Sequence, residues 1–347
     1  MSFIEACLHT RNYGCRIRRF QMNGIEMLSL ENDVVKIVIS LGKGADIVEF
    51  VHKATDIDFM WHSFNEQKNI THPPTISSEG GTFFDAYAGG WQELFPTYGE
   101  STTYDGSEIG IHGEACIYPW ECKVLLDSPE CICVELALRT IRTPYLLKKK
   151  LTLKAHSGRL EMEQSVTNLA ATTQQFMWAH HPAFGYPFLD ESVEIRLKGT
   201  PCVTVPEGTA IDISPFDKET TGKWPILQGR NDEYVDMSRA HAAEEKLYME
   251  YYVSDLEEGI FELVNTRLGI GMRMDWDLDT FKYLWIWGMY CGMEDYPWYG
   301  RAYTLGVEPW STVPADYATA VADHTALVLE PGETRTTWLM AEAFTVK

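Results

Sequence analysis

The tightest constraint on this chain is a period of two in its apolar residues, repeated along most of its length. In "DVVKIVIS", Val35, Ile37 and Ile39 share one face, and in "GADIVEFVHK", Ile47, Glu49 and Val51 do. "LKKKLTLKAHSGRLEMEQSV" reads as two strands joined at "HSG", and "ELVNTRLGIGMRMDWD" repeats that plan. "TALVLEPGETRTTWLMAEAF" places a turn at "EPGE". Helical pattern is sparse, with "DMSRAHAAEEKLY" at residues 236–248 the best candidate. Many strands at short spacing predict an all-β fold, a large antiparallel β-sandwich or barrel with few short helices. No Pro/Ser/Gly-rich linker or composition shift divides the 347 residues, so residues 1–347 are expected to form one domain, with a two-domain α+β protein as the alternative. Residues 62–110 break the alternation and are rich in Gly, Thr, Pro and aromatics, which marks a candidate functional loop.

A net charge of -21 argues against nucleic acid, anionic membranes and polyphosphate ligands as partners. A neutral or cationic small ligand fits more easily. Eleven Trp and seventeen Tyr supply flat faces that suit sugars, although aromatics also serve as ordinary core. The eight cysteines include no C-x-x-C pair, and Cys131 and Cys133 fall on one strand face, as buried thiols do. The first twenty residues lack the charged-then-apolar order of a signal peptide, and no run approaches a membrane span. The expectation is a reduced, cytoplasmic protein.

Four stretches carry candidate chemistry. In "GGWQELFPTYGE", Gly89 and Gly90 permit close backbone approach, while Trp91, Gln92 and Glu93 offer a stacking face and hydrogen-bonding ends; a packed structural turn is the plainer reading. The spacing is not that of a phosphate loop. In "IGIHGEACIYPWE", His112 and Glu114 form an H-x-E pair that a histidine elsewhere could complete into a metal site, or His112 is simply a hydrogen-bonded loop residue. In "FMWAHHPAFGYPF", alternation sends His180 and His181 to opposite faces, and Pro182 is expected to place His181 at a strand end. In "AYTLGVEPWSTVP", Thr304, Gly306 and Glu308 share a face on which the glycine leaves room for a ligand, and Pro309 is expected to stop the strand.

Taken in order, these stretches resemble the aldose 1-epimerase (galactose mutarotase) family. "KGADIVEFVHKATDIDFMW" resembles its early strand pair, "IHG" its His-Gly after the long loop, "HHPAF" its Asn-His-x-x-Phe segment and "LGVEPW" its C-terminal strand with Glu before Pro. The resemblance implies a large antiparallel β-sandwich that interconverts the α and β anomers of a monosaccharide, an unphosphorylated aldose, by opening and reclosing the ring. It implies Glu308 as the base on the C1 hydroxyl, His181 as the acid on the ring oxygen and His112 as a sugar ligand, with neither metal nor cofactor. An imidazolium beside a carboxylate is expected to hold both charged.

The sequence departs from the family at His180, where an asparagine is expected, and at "GGWQELFP", where a loop arginine would stand. Trp91, Gln92 and Glu93 would replace the arginine's contact, and Asp232 in "GRNDEYVD" is the candidate for the family's sugar-binding aspartate. The alternatives are a non-catalytic carbohydrate-binding protein on the same fold, a hexose 6-phosphate mutarotase, and a metal enzyme built on His112, Glu114 and the histidine pair.

Overall fold

The computed structural model describes residues 11–69, 81–209, 211–313 and 315–346. The first ten residues and part of the 62–110 stretch therefore lie outside the described residues. Among the described residues, the strands form a 14-stranded and an 8-stranded sheet with antiparallel pairings, plus two 2-stranded ribbons. Helix is limited to two short segments, Gly81–Asp85 and Tyr317–Ala322, and a few 3-10 turns. This is the antiparallel sandwich the alternation predicts. No helix among the described residues is long and apolar enough to cross a membrane. The seven cysteines in these residues are all free.

The alternation is visible as burial. In Tyr145–Lys154, Tyr145, Leu147, Lys149, Leu151 and Leu153 point inward; in Arg159–Asn168, Leu160, Met162, Gln164 and Val166 do. These two strands pair across the "HSG" turn, and Ile260–Asn265 pairs with Ile270–Trp276 as a second hairpin. The "EPGE" turn behaves differently. Leu327–Leu329 pairs with Gln174–Phe176 in a ribbon, while Thr334–Thr345 runs between two strands of the 8-stranded sheet. The chain at that turn changes sheets.

The expected helix at 236–248 is absent. That stretch holds the end of strand Tyr234–Asp236, a 3-10 turn at Ala243–Glu245 with no buried residue, and the start of strand Leu247–Ser254. A helix needs an apolar stripe to bury. Here Tyr248, Glu250 and Tyr252 instead follow period two into the next strand.

Six strands at the middle of the larger sheet position everything that follows. Their spatial order is Asp46–His52, Trp91–Leu94, Ala179–Gly185 (the histidine strand), Tyr303–Trp310 (the glutamate strand), Tyr283–Tyr290 and Leu247–Ser254. Gly89 and Gly90, both at φ +84, admit the turn into Trp91–Leu94, and a Cβ on Gly90 would stand 2.6 Å from the Ile47 carbonyl oxygen.

Where the sheets face each other, the apolar core is interrupted by four polar side chains. Lys149 and Gln164 are cross-strand neighbours in the smaller sheet, and Glu93 and His180 are cross-strand neighbours in the larger one. The Lys149 ammonium lies 3.0 Å from Glu93, and His180 Nε2 lies 2.9 Å from Gln164 Oε1. Trp178 Nε1 donates to Glu93 at 2.9 Å, and Trp91 Nε1 donates to His180 Nδ1 at 3.0 Å. Because Trp91 donates to Nδ1, His180 carries its proton on Nε2 and is neutral, in keeping with a pKa that burial and Lys149 push far down.

A buried ion of this kind is costly to orphan. Lys149→Met is expected to lower stability by about 3–5 kcal/mol in denaturant melts, because it leaves buried Glu93 without its ion-pair partner. Adding Glu93→Leu should recover most of that loss.

Candidate functional site

His181 follows His180 on the same strand and points the other way, out of the sandwich interior and into a cavity of about 1050 Å³. Neither proline ends its strand. The histidine strand runs on to Gly185 with Pro182 paired to Trp91, and the glutamate strand includes Pro309 paired to Leu284. The prolines act on the boundary between these two strands. Pairs Ala179↔Trp310 and Ala183↔Gly306 fix a register that sets His181 opposite Glu308. Ser311 N–H donates to the Trp178 carbonyl at 2.9 Å, so His181 and Glu308 occupy a non-hydrogen-bonded pair position, where side chains sit closest. The ladder bonds that would close this position belong to the N–H groups of residues 182 and 309, and both residues are proline. The bridge is open between Ala179 and Ala183.

His181 Nε2 lies 3.4 Å from Glu308 Oε1 across that opening. Glu308 Oε2 accepts from Trp310 Nε1 at 3.0 Å, while Oε1 has no hydrogen-bond partner although the residue is 1% exposed. Gly306 makes the space for this arrangement: a methyl group there would overlap the Glu308 carboxylate and crowd Trp287. The His181 ring packs among Trp287, His112 and Tyr87, at centroid distances of 5.5, 5.6 and 5.8 Å. Burial pushes the Glu308 carboxyl well above its ordinary value, donation from Trp310 offsets part of this, and nearby Glu250 adds to the rise. Burial also pushes His181 down to about 4. Desolvation thus disfavours the charged form of each partner and works against the attraction expected of an imidazolium beside a carboxylate.

His112 lines the same cavity. Its φ of 64 and the φ of 81 at Gly113 fold the loop so that its ring meets Phe83 edge-on at 4.4 Å, and burial lowers its pKa well below the usual value. Its sequence partner Glu114 turns away and accepts from Ile141 N–H at 2.9 Å, Arg142 N–H at 2.8 Å and the Thr143 hydroxyl at 2.7 Å. The H-x-E pair is thus split between the cavity and a loop anchor. No group of three or more His, Cys, Asp or Glu suited to a metal ion occurs among the described residues.

Five other expected ligand contacts are not where the sequence reading put them. His180, Trp91 and Glu93 belong to the network between the sheets, on the far side of the strands from the cavity. Gln92 is fully buried and donates to the Gly89 carbonyl at 2.7 Å. Asp232 sits in an exposed 3-10 turn, Arg230–Asp232, where it accepts from Gln228, and it does not line the cavity.

The structure adds residues that motif reading passed over. Glu250 lines the cavity, and its Oε1 accepts from Trp285 Nε1 at 2.8 Å while Tyr248 donates to Oε2. Trp285 and Trp310 stack at 4.3 Å with 7° between planes, so two parallel indoles hold two carboxylates, Glu250 and Glu308. Trp287, Trp298 and Tyr87 complete an aromatic wall. The signal was present as period two: Tyr248, Glu250 and Tyr252 alternate along one strand, and Trp285 and Trp287 stand opposite Tyr252 and Glu250 on the same face of the adjoining strand.

Comparison with solved structures places this fold among mutarotase-like sandwiches. The "putative aldose 1-epimerase" of Klebsiella pneumoniae superposes with a TM-score of 0.73 at 16% identity, covering 99% of this chain and 86% of that one. A galactose mutarotase-like protein of Clostridium acetobutylicum gives 0.62 at 13% identity, with 96% and 99% coverage. A galactose mutarotase related enzyme of Lactobacillus acidophilus gives 0.59 at 20% identity, with 92% and 99% coverage. At these identities the likeness is one of fold. No curated protein sequence matches significantly. The match to one family model spans residues 22–343, and the chain belongs to that family, described as a domain of unknown function, DUF4432.

Proposed function

We propose that this protein is an aldose 1-epimerase-like mutarotase, a one-domain enzyme that interconverts the α and β anomers of an unphosphorylated aldose. The observation that carries the reading is the His181–Glu308 pair, 3.4 Å apart at facing positions of neighbouring strands on the wall of an aromatic cavity. Ring opening needs one group to take the C1 hydroxyl proton and another to protonate the ring oxygen, after which the C1–O5 bond breaks. The aldehyde turns about C1–C2, and closure reverses both transfers. A histidine and a carboxyl that hold one proton between them supply both groups and end with the same single proton.

Burial that disfavours both charged forms is compatible with His181 as acid and Glu308 as base. Sugar hydroxyls donating to the unpartnered Glu308 Oε1 favour the carboxylate, and the pair's proton then passes to His181 Nε2. His112 stands beside His181 to hydrogen-bond the reacting end of the sugar. Among the described residues lining the cavity there is no lysine or arginine, which disfavours a hexose 6-phosphate as substrate. The same acid–base pair favours catalysis over a purely binding role.

Polarimetry on freshly dissolved α-glucose and α-galactose should show faster mutarotation than buffer alone, and no acceleration with any aldose would refute the enzyme reading. Glu308→Gln and His181→Asn should each lower kcat/KM by about 10³-fold while sugar binding persists in titrations.

The pH profile of kcat/KM should rise as pH climbs through about 4, where His181 loses the second proton of the pair. It should fall again as pH passes the raised value of Glu308, where the last proton leaves.

Burial of Glu308 also has a stability consequence of defined sign. Its folded-state pKa is raised, so stability falls as pH rises from the ordinary carboxylate range of about 4.3 towards the raised value. Glu308→Gln removes that cost and keeps an acceptor for Trp310. Its Tm should exceed that of the wild type by a margin that widens between pH 5 and pH 8.

A further inference from the structure

Resting on the sugar reading above, we infer that the preferred substrate is an aldose bearing an ammonium group, held by Glu250 and Glu308 within the aromatic wall of the cavity. The lining presents carboxylates from several strands and loops, including Glu100, Glu250 and Glu308, with no lysine or arginine among the described residues to balance them. Acidity alone would describe a solvated surface, but this site has a second property. Glu308 is 1% exposed and its Oε1, in the cavity wall, lacks a hydrogen-bond partner. Glu250 is only partly satisfied, since Trp285 and Tyr248 donate one bond to each oxygen and a carboxylate accommodates about four.

The two carboxylates also act on each other. Burial raises both carboxyls, and beyond it Glu250 raises Glu308 and Glu100 raises Glu250, so each opposes negative charge on its neighbour. A neutral sugar leaves that repulsion in place. An ammonium placed between the carboxylates relieves it and donates to their free lone pairs. The aromatic wall adds to the same preference, because Trp287 and Trp298 also line the cavity and a cation is attracted to indole rings. His112, whose pKa burial lowers well below the usual value, does not oppose it.

The test is calorimetric titration at low salt and about pH 6.5, where an amine is charged. The probes are galactosamine and glucosamine, the neutral parents galactose and glucose, the N-acetylated sugars, and galactose 6-phosphate. At least one amino sugar should bind about tenfold or more tightly than its parent and its N-acetyl form, and the phosphate should bind weakest. The preference should shrink with added salt, and Glu250→Gln should bring the ratio of amino to neutral affinity close to one. If neutral aldoses bind and are turned over while amino sugars bind no better, this inference fails and the mutarotase reading stands. If no aldose binds or is turned over, both fail. The wild-type comparison of amine with N-acetyl sugar decides the matter even where Glu250→Gln does not fold.

Discussion

The site depends on a pair of strands that are held in register but not bonded to each other where it matters. Ala179↔Trp310 above and Ala183↔Gly306 below fix the alignment, and the two N–H groups that would close the ladder between them are missing because residues 182 and 309 are prolines. On their other sides both prolines sit in ordinary pairings, with Trp91 and Leu284. A central strand usually excludes proline. Here two of them, one on each strand, spoil the same position, and that position holds His181 and Glu308. The neighbouring ladders supply the rigidity that this one gives up.

The same strand serves two environments with consecutive histidines. His180 goes inward, where Trp91 and Gln164 fix its neutral tautomer and where Lys149 and Glu93 stand beside it. His181 goes outward with an unpartnered Nδ1 and a carboxyl partner. Of the inward atoms named, the Gln164 amide nitrogen and Glu93 Oε2 lack a hydrogen bond, the latter facing the Lys149 ammonium at 3.0 Å. Outward, His181 Nδ1 and Glu308 Oε1 lack one at the wall of a cavity. Satisfied networks rigidify a core, whereas unsatisfied buried groups cost stability and persist where something binds. His180, standing where the resembled family carries asparagine, extends the interior network and has no access to the cavity.

The fold was legible because period two repeats in most strands, and burial in Tyr145–Lys154 follows the sequence residue by residue. Alternation separates His180 from His181 and puts Gly306 on the face of Glu308, but it leaves the choice of histidine open, and only the family resemblance pairs His181 with Glu308. The reading of the prolines was not, since a proline in a single sequence signals a stop, and only the register shows two of them cancelling one bridge. Trp91, Glu93 and His180 were misplaced because alternation tells that neighbours differ in face without telling which face is interior. Asp232 was chosen for its residue type alone, and it lies on an exposed turn. Glu250 was missed for the opposite reason: it sits in an unremarked strand, and its meaning comes from Trp285, which reaches it from the next strand.

In the proposed reaction, a burial that disfavours charge on both partners is an advantage. An ion pair formed in advance would hold its proton in a strong mutual bond and resist giving it to a ring oxygen. Burial instead leaves His181 a weak base and Glu308 a weak acid, with values moved in opposite directions. The proton then moves only when a ligand's own hydroxyls replace the solvation that the carboxylate lacks. The stacked indoles of Trp285 and Trp310 limit how far each carboxylate can turn, so a ligand meets acceptors already in place. Catalytic readiness and desolvation cost are thus two consequences of one burial, and the open bridge between the prolines is what allows both side chains to share it.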